Sequence, residues 1–149
     1  MADIFSKKKR SKIMASISGI ETKPEIAVRS FLFKKGFRFR KNIKTLPGKP
    51  DIVLTKYKTV IFIHGCFWHG HINCAKSVLP TSNIEFWKNK IQKNIDRDKI
   101  VLSDLKKLDW KAITIWQCEI KNKKLFEETM QNVIKILLEN LNVLNNKAK

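Results

Sequence analysis

The spacing of hydrophobic and polar residues predicts three helices. In three stretches apolar residues recur every three or four positions, which is the periodicity of a helix with one buried face. These stretches are residues 22–36, 84–108 and about 124–144. Thr22 and Glu25 match the T-x-x-E pattern of a capping box, and Gly36 is expected to end the first helix in the left-handed conformation. A second interpretation of Glu25 is a functional carboxylate at the entry of a core helix.

Four further segments have the alternating or continuously apolar patterns of β-strands. They are residues 37–41, 51–54, 59–64 and 110–118. A short turn joins the second and third segments, which predicts a hairpin in which Leu54 pairs with Thr59. That register places Asp51 opposite Phe62 and makes it a diagonal neighbour of His64, roughly 7–8 Å away at the backbone.

The two ends of the chain are less regular. Residues 6–20 begin with a run of cations and then place Ile13, Met14 and Ile17 at helical spacing. This segment is either a terminal helix packed on the core or an arm that lays cations on phosphates. Residues 145–149 are expected to fray.

Composition adds a strong charge bias to this picture. The chain has 149 residues, enough for one domain with a sizeable core. Its 31 Lys and Arg residues outnumber 13 Asp and Glu, which gives a net charge of +18. Such an excess indicates a polyanionic partner, most commonly nucleic acid. A genome that favours lysine codons is the alternative explanation.

Several classes of protein are disfavoured by the same sequence. No apolar run reaches the length of a membrane span, and the basic N-terminus lacks the apolar region of a secretory signal. Three cysteines cannot all pair within the chain, so reduced or metal-bound thiols are favoured over disulfides. We therefore expect a cytoplasmic protein with no membrane partner.

The chemistry of the chain is concentrated in residues 64–74. This stretch, HGCFWHGHINC, contains all three histidines and two of the three cysteines. Imidazole and thiolate together indicate a metal site, an acid/base site, or both.

Four residues have the types and spacing of a structural zinc site. Cys66, His71 and Cys74 form a C-x4-H-x2-C cluster, and Cys118 is the only cysteine left to complete a tetrahedron. Zinc would pin an irregular loop to the strand that carries Cys118. The alternative is that the thiols are buried and unliganded.

Three other residues predict hydrolytic chemistry. Asp51 begins a strand whose hairpin partner ends at His64, which is the layout of a metal-dependent phosphodiesterase. There a carboxylate holds Mg²⁺, which neutralises phosphate charge and orients the attacking water. His64 and His69, outside the predicted zinc set, supply imidazoles that can exchange a proton near neutral pH.

Adjacent aromatic residues in the same stretch have two interpretations. Phe67 and Trp68 either stack on or wedge between bases, or hold the loop down as a hydrophobic staple. Trp87, in the first turn of the second helix, faces either the core or a ligand.

Seven features, in order along nearly the whole chain, resemble those of the very-short-patch repair (Vsr) mismatch endonucleases. They are RSKIM at 10–14, the helix with Glu25, LPGKPD at 46–51, VIFIHGCFWHGH at 60–71, EFW at 85–87, K-N-x-x-R-D at 93–98 and W-x-C-E at 116–119. The resemblance implies a monomer with an α/β, type II restriction-endonuclease-like core, a central mixed sheet flanked by helices, and a structural zinc site. Residues 1–20 would be a DNA clamp and residues 21–144 the nuclease core of one domain.

The activity that the resemblance implies is Mg²⁺-dependent nicking of duplex DNA, 5′ to the thymine of a T:G mismatch. Such mismatches arise when 5-methylcytosine deaminates, which implies a functional link to a cytosine-5 DNA methyltransferase and a nucleoid-associated enzyme.

By position, Asp51 and the Ile63 carbonyl resemble the Mg²⁺ ligands, and His69 resembles the general base. His64 would support the scissile phosphate and leaving group, and Glu25 would position His69. The implied Zn²⁺ ligands are Cys66, His71, Cys74 and Cys118. Phe67, Trp68 and Trp87 resemble a wedge that enters the major groove, and the segment with Arg10, Lys12 and Met14 resembles a minor-groove clamp.

Two other functions compete with mismatch-specific nicking. One is a broader- or sequence-specific endonuclease attached to a restriction-modification system, which would share every catalytic residue. The other is a non-enzymatic zinc-containing DNA-binding protein, which would need neither Asp51 nor the histidines at this spacing.

Overall fold

The computed structural model describes residues 22–147. The predicted arm, with Arg10, Lys12 and Met14, lies outside the described residues, and so do residues 148 and 149.

Within residues 22–147, three α-helices and four β-strands follow the predicted order. The helices are α1 (Lys23–Lys34), α2 (Ile84–Lys107) and α3 (Lys123–Lys147). The strands are β1 (Arg40–Lys41), β2 (Ile52–Leu54), β3 (Thr59–His64) and β4 (Lys111–Trp116). They form one sheet in that order, with β4 parallel to β3 and the other pairs antiparallel. The predicted mixed sheet flanked by helices is confirmed.

The sheet has a hydrophobic cluster on each face. On one face, apolar residues of the strands pack against α1 and α3, with Val28, Leu32, Met130, Val133 and Leu137 buried. On the other face, the cluster of Val53, Val60, Phe62 and Leu105 joins the sheet to α2. The short strand β2 is buried at every position, as expected for a strand covered on both sides.

The hairpin register confirms the prediction and orients the site. Leu54 pairs with Thr59, and Ile52 pairs with Ile61. Because side chains alternate along a strand, Asp51 and His64 project from the face that α2 covers. Residues from the sheet and from α2 can therefore meet around one cleft.

Four predicted details of the elements are wrong. The first strand is only Arg40–Lys41, and β4 ends at Trp116, so Cys118 lies in the following 3₁₀ turn, Gln117–Ile120. Helix α3 continues to Lys147, so the predicted fraying does not begin at residue 145.

The fourth error concerns the capping box. Thr22 is the N-cap of α1, but its side chain makes no capping hydrogen bond. Glu25 is buried, with 4% of its surface exposed, and lines the cleft that also contains Asp51. The prediction that Gly36 follows the helix in a left-handed conformation is confirmed, since its φ is +92°.

Among the helices of residues 22–147, none has an apolar run long enough to cross a membrane.

Candidate active site and metal centre

An open cleft of about 790 Å³ lies between the sheet and α2. Its wall includes the predicted catalytic side chains together with two residues of α2. These are Glu25, Asp51, His64, His69, Arg97 and Asp98. Elements that are distant in sequence thus place carboxylates, imidazoles and a guanidinium around one space.

Asp51 is held at the edge of the sheet by a backbone hydrogen bond. The amide of Ile63 donates to Asp51 Oδ2 at 2.7 Å. Burial raises the pKa of Asp51 to about 6, and the negative charge of Glu25 adds to this, while the Ile63 amide and Arg29 oppose it. A cation bound beside Asp51 would favour the ionised carboxylate, and carboxylate oxygen is a ligand type that a hard divalent ion such as Mg²⁺ accepts.

His64 and His69 form a stacked pair inside the cleft. Their ring centroids are 3.7 Å apart and their planes differ by 3°. Burial and the neighbouring His69 lower the pKa of His64 to about 4, against the opposing effect of Asp98. Among the described residues, His64 Nδ1 is buried without a hydrogen-bond partner. His64 is therefore a neutral imidazole at pH 7, and its orientation depends on contacts with neighbouring rings.

His69 is oriented by a carboxylate that the sequence analysis did not single out. His69 Nδ1 lies 2.7 Å from Asp98 Oδ2, across 29 residues of sequence. A carboxylate on one ring nitrogen fixes the tautomer and leaves Nε2 to exchange a proton. Asp98 falls seven residues after the buried Ile91 on α2, and the available signal was the K-N-x-x-R-D motif of residues 93–98, which ends at Asp98. That Glu25 positions His69 stays a prediction.

The side chains of the four predicted zinc ligands lie close together in the structure. One ligand atom each from Cys66, His71, Cys74 and Cys118 lies within 4.8 Å of every other. Tetrahedral zinc with thiolate bonds near 2.3 Å needs sulfurs about 3.8 Å apart, so this donor set is compatible with the ion. Burial and the nearby sulfurs of Cys66 and Cys74 raise the pKa of Cys118 to about 11. A zinc ion bound to the sulfur of Cys118 would stabilise the thiolate and so oppose this rise in pKa.

The loop that carries both clusters is folded by its own backbone and pressed against α2. His71 N donates to Cys66 O, and His69 N donates to Gly65 O. Gly70 has φ of +60°, and a Cβ there would lie 2.6 Å from the Ile95 side chain. A residue without a side chain thus lets the loop approach α2, which brings His69 to Asp98.

Three aromatic rings gather beside the cleft. Phe67, Trp68 and Trp87 contact one another edge-to-face, with centroids 5.2–5.8 Å apart. The buried amide of Asn94 donates to the Trp68 carbonyl at 2.9 Å, so α2 also holds this part of the loop. The three rings are each partly exposed, and Trp68 lines the cleft; we call the group of Phe67, Trp68 and Trp87 the aromatic ledge.

Comparison with known proteins finds similarity over most of the chain. The family model "DNA mismatch endonuclease Vsr" matches residues 2–76. Type II nicking enzyme V.NmeAIP of Neisseria meningitidis serogroup A is 53% identical over 91% of this chain and 96% of its own length. Type II nicking enzyme V.XorIIP of Xanthomonas oryzae is 40% identical over 90% and 98%. DNA mismatch endonuclease Vsr of Escherichia coli K12 is 40% identical over 87% and 83%.

Proposed function

The chain belongs to the Vsr family of DNA mismatch endonucleases, as its motifs predict, and on that premise we propose that it nicks duplex DNA 5′ to the thymine of a T:G mismatch. The observation that carries the proposal is the cleft itself, where Asp51, a stacked histidine pair and Asp98 line one space together with the partly exposed Trp68. A DNA-binding protein without enzymatic activity would not need an imidazole held by a carboxylate.

Asp51 and the Ile63 carbonyl would hold Mg²⁺, which supplies charge neutralisation at the phosphate and a more acidic water. His69 accepts the proton of the attacking water at Nε2, because Asp98 holds Nδ1. His64, neutral at pH 7, donates a hydrogen bond to the scissile phosphate or the leaving oxygen. Glu25, a buried residue that lines the cleft, would position His69.

Recognition of the mismatch would use the aromatic ledge. Opening a wobble pair costs a few kcal/mol at most, and stacking contributes about 1–3 kcal/mol per base. Phe67, Trp68 and Trp87 can therefore offset the opening of a weakly stacked T:G pair in the major groove. A matched pair resists more, so the cost of opening provides selectivity. Arg10, Lys12 and Met14 would contact the minor-groove side.

The proposal also covers the metal centre, the oligomeric state and the cellular location of the enzyme. Zn²⁺ at Cys66, His71, Cys74 and Cys118 is structural, because four protein ligands leave no open position. The enzyme is a monomer with one domain over residues 1–149 and a restriction-endonuclease-like core. It acts in the cytoplasm, where deamination of bases methylated by a cytosine-5 methyltransferase creates its substrate.

The second candidate is a nicking enzyme of a restriction-modification system with broader or sequence-defined specificity. The relatives named type II nicking enzymes favour it. Such an enzyme would use the same cleft as a mismatch-specific enzyme, and only the DNA that it cuts would differ.

Nicking of end-labelled duplexes tests the proposal and separates the two candidates. One duplex carries a single T:G mismatch and the other is matched, each in a panel of flanking sequences with Mg²⁺ or EDTA. We expect Mg²⁺-dependent cutting of the T strand alone, 5′ to the mismatched thymine. Equal cutting of matched DNA would establish the second candidate, and binding without cutting in any context would contradict both.

We predict that Asp98→Asn lowers the nicking rate about 10²-fold, because His69 loses the carboxylate that orients its ring and sets its tautomer. Single-turnover rates on the mismatched duplex measure this effect. The matched control is Asp96→Asn, on the exposed side of the same helix, where the carboxylate accepts a hydrogen bond from Gln92. An Asp98→Asn enzyme as fast as Asp96→Asn would exclude the proposed orientation of His69.

A further inference from the structure

Trp116 lies between the metal centre and the histidine pair. Its indole stacks on His71, with centroids 4.1 Å apart and planes within 7°. The same ring stands edge-on to His64 at 5.2 Å and 76°, and His64 stacks on His69. Four rings therefore form a continuous column from a proposed zinc ligand to the proposed general base.

Trp116 is placed in this column by the β-sheet, not by the Cys/His centre or the histidine pair. Trp116 is the register partner of His64 in the parallel β3–β4 pair, so the two side chains project side by side from one face. The amide of Trp116 donates to Glu119 Oε1 at 2.9 Å, where the 3₁₀ turn with Cys118 begins. The backbone of Trp116 is thus anchored at the junction of the two clusters.

His64 depends on its ring neighbours for its orientation. In the described part of the chain, no hydrogen bond holds its buried Nδ1. The rings of Phe62, His69 and Trp116 surround it at 3.7–5.7 Å. Because a planar ring packed on several sides has few ways to turn, loss of one neighbour changes its orientation.

We propose that Trp116 is a positioning residue that couples metal binding at the Cys/His centre to the orientation of His64 and His69. The inference rests on the function proposed above. A metal bound to His71 allows one orientation of its imidazole, and that imidazole is the flat surface on which Trp116 stacks. Trp116 in turn forms the wall against which His64 lies. The metal thus sets the rate of nicking without touching DNA.

Replacement of Trp116 tests its effect on the reaction. In Trp116→Leu an apolar side chain remains but the flat ring is lost, and we expect kcat to fall about 10- to 100-fold, as small misplacements of catalytic groups do. Zinc content and the Kd for mismatched DNA should not change. Trp116→Phe should recover most of the rate. The matched control is Trp110→Leu, whose ring packs near Lys58 at the other end of β4.

A spectroscopic test does not depend on nicking. Exchange of Zn²⁺ for the larger Cd²⁺ moves the ring of His71, and histidine-ring ¹H–¹⁵N spectra report each imidazole separately. In the wild type and Trp116→Phe we expect the signals of His64 and His69 to shift along with those of His71. In Trp116→Leu the shift should stop at His71.

The two measurements separate failure of this inference from failure of the proposed function. Ring shifts at His64 in Trp116→Leu as large as in the wild type, or unchanged kcat in that variant, would overturn the coupling while nicking stands. A wild-type protein that retains no zinc would overturn it as well. If the wild type cuts no duplex yet shows transmitted ring shifts, the coupling stands and the proposed reaction fails.

Discussion

Asp51→Asn is expected to lower the nicking rate about 10³-fold or more while mismatched DNA still binds. Asparagine keeps the size of the side chain but removes the charge that would hold Mg²⁺ beside the Ile63 carbonyl. A divalent ion stabilises the transition state by several kcal/mol, and about 4 kcal/mol corresponds to about 10³-fold in rate. Single-turnover nicking at saturating enzyme measures the loss of rate, and the Kd for the T:G duplex measures whether DNA binding is retained.

The same substitution should stabilise the metal-free protein at neutral pH. Burial raises the pKa of Asp51 to about 6 from an ordinary value of 3.8. Because the folded value is the higher one, the carboxyl stabilises the fold below about pH 4, and this contribution is lost as the pH rises through 6. The shift alone corresponds to about 3 kcal/mol at pH 7, and partial solvent exposure reduces this to about 1–2 kcal/mol.

Urea unfolding of the metal-free wild type and Asp51→Asn at pH 4 and pH 7 measures this difference. The variant should be more stable at pH 7 and nearly equal at pH 4. The matched control is Asp109→Asn, at an exposed left-handed position that asparagine also tolerates. A variant that nicks at the wild-type rate would remove Asp51 from the proposed metal site, and one that is destabilised at pH 7 would contradict the burial argument.

The second large effect is expected at the metal centre. Cys118→Ser should release zinc and lower the free energy of unfolding by more than about 3 kcal/mol. Bound zinc contributes about 10–16 kcal/mol in small zinc domains, and loss of one thiolate removes a large part of its affinity. Cys118 is also the proposed ligand that would tie the loop of residues 66–74 to the turn after β4, so its loss would separate the two.

Metal content by mass spectrometry and denaturant unfolding check this prediction. The comparison that isolates the metal is wild type and variant after treatment with a strong chelator, when the two should unfold alike. Equal zinc retention and equal stability of the untreated proteins would exclude Cys118 as a ligand. A difference that persists after chelation would show that Cys118 acts through packing.

The element order and hairpin register could be predicted because they depend on neighbouring residues. The short turn at residues 55–58 leaves little choice of pairing, so Leu54 meets Thr59 and Asp51 comes to the end of the sheet near His64. Cys66, His71 and Cys74 lie within nine residues, and their convergence requires only a few backbone turns. For the same reason, local periodicity predicts where α2 begins and ends to within one residue.

The pairing of His69 with Asp98 and the column through Trp116 were decided by tertiary structure. Each joins segments at least 29 residues apart, and their contact depends on how α2 crosses the sheet and where β4 ends. Many small core contacts together determine those positions, so they cannot be predicted from any short stretch of sequence. By itself the sequence determined which residues can do chemistry and the order of the elements that carry them. Only the packing of α2 and β4 on β3 decided which of those residues touch.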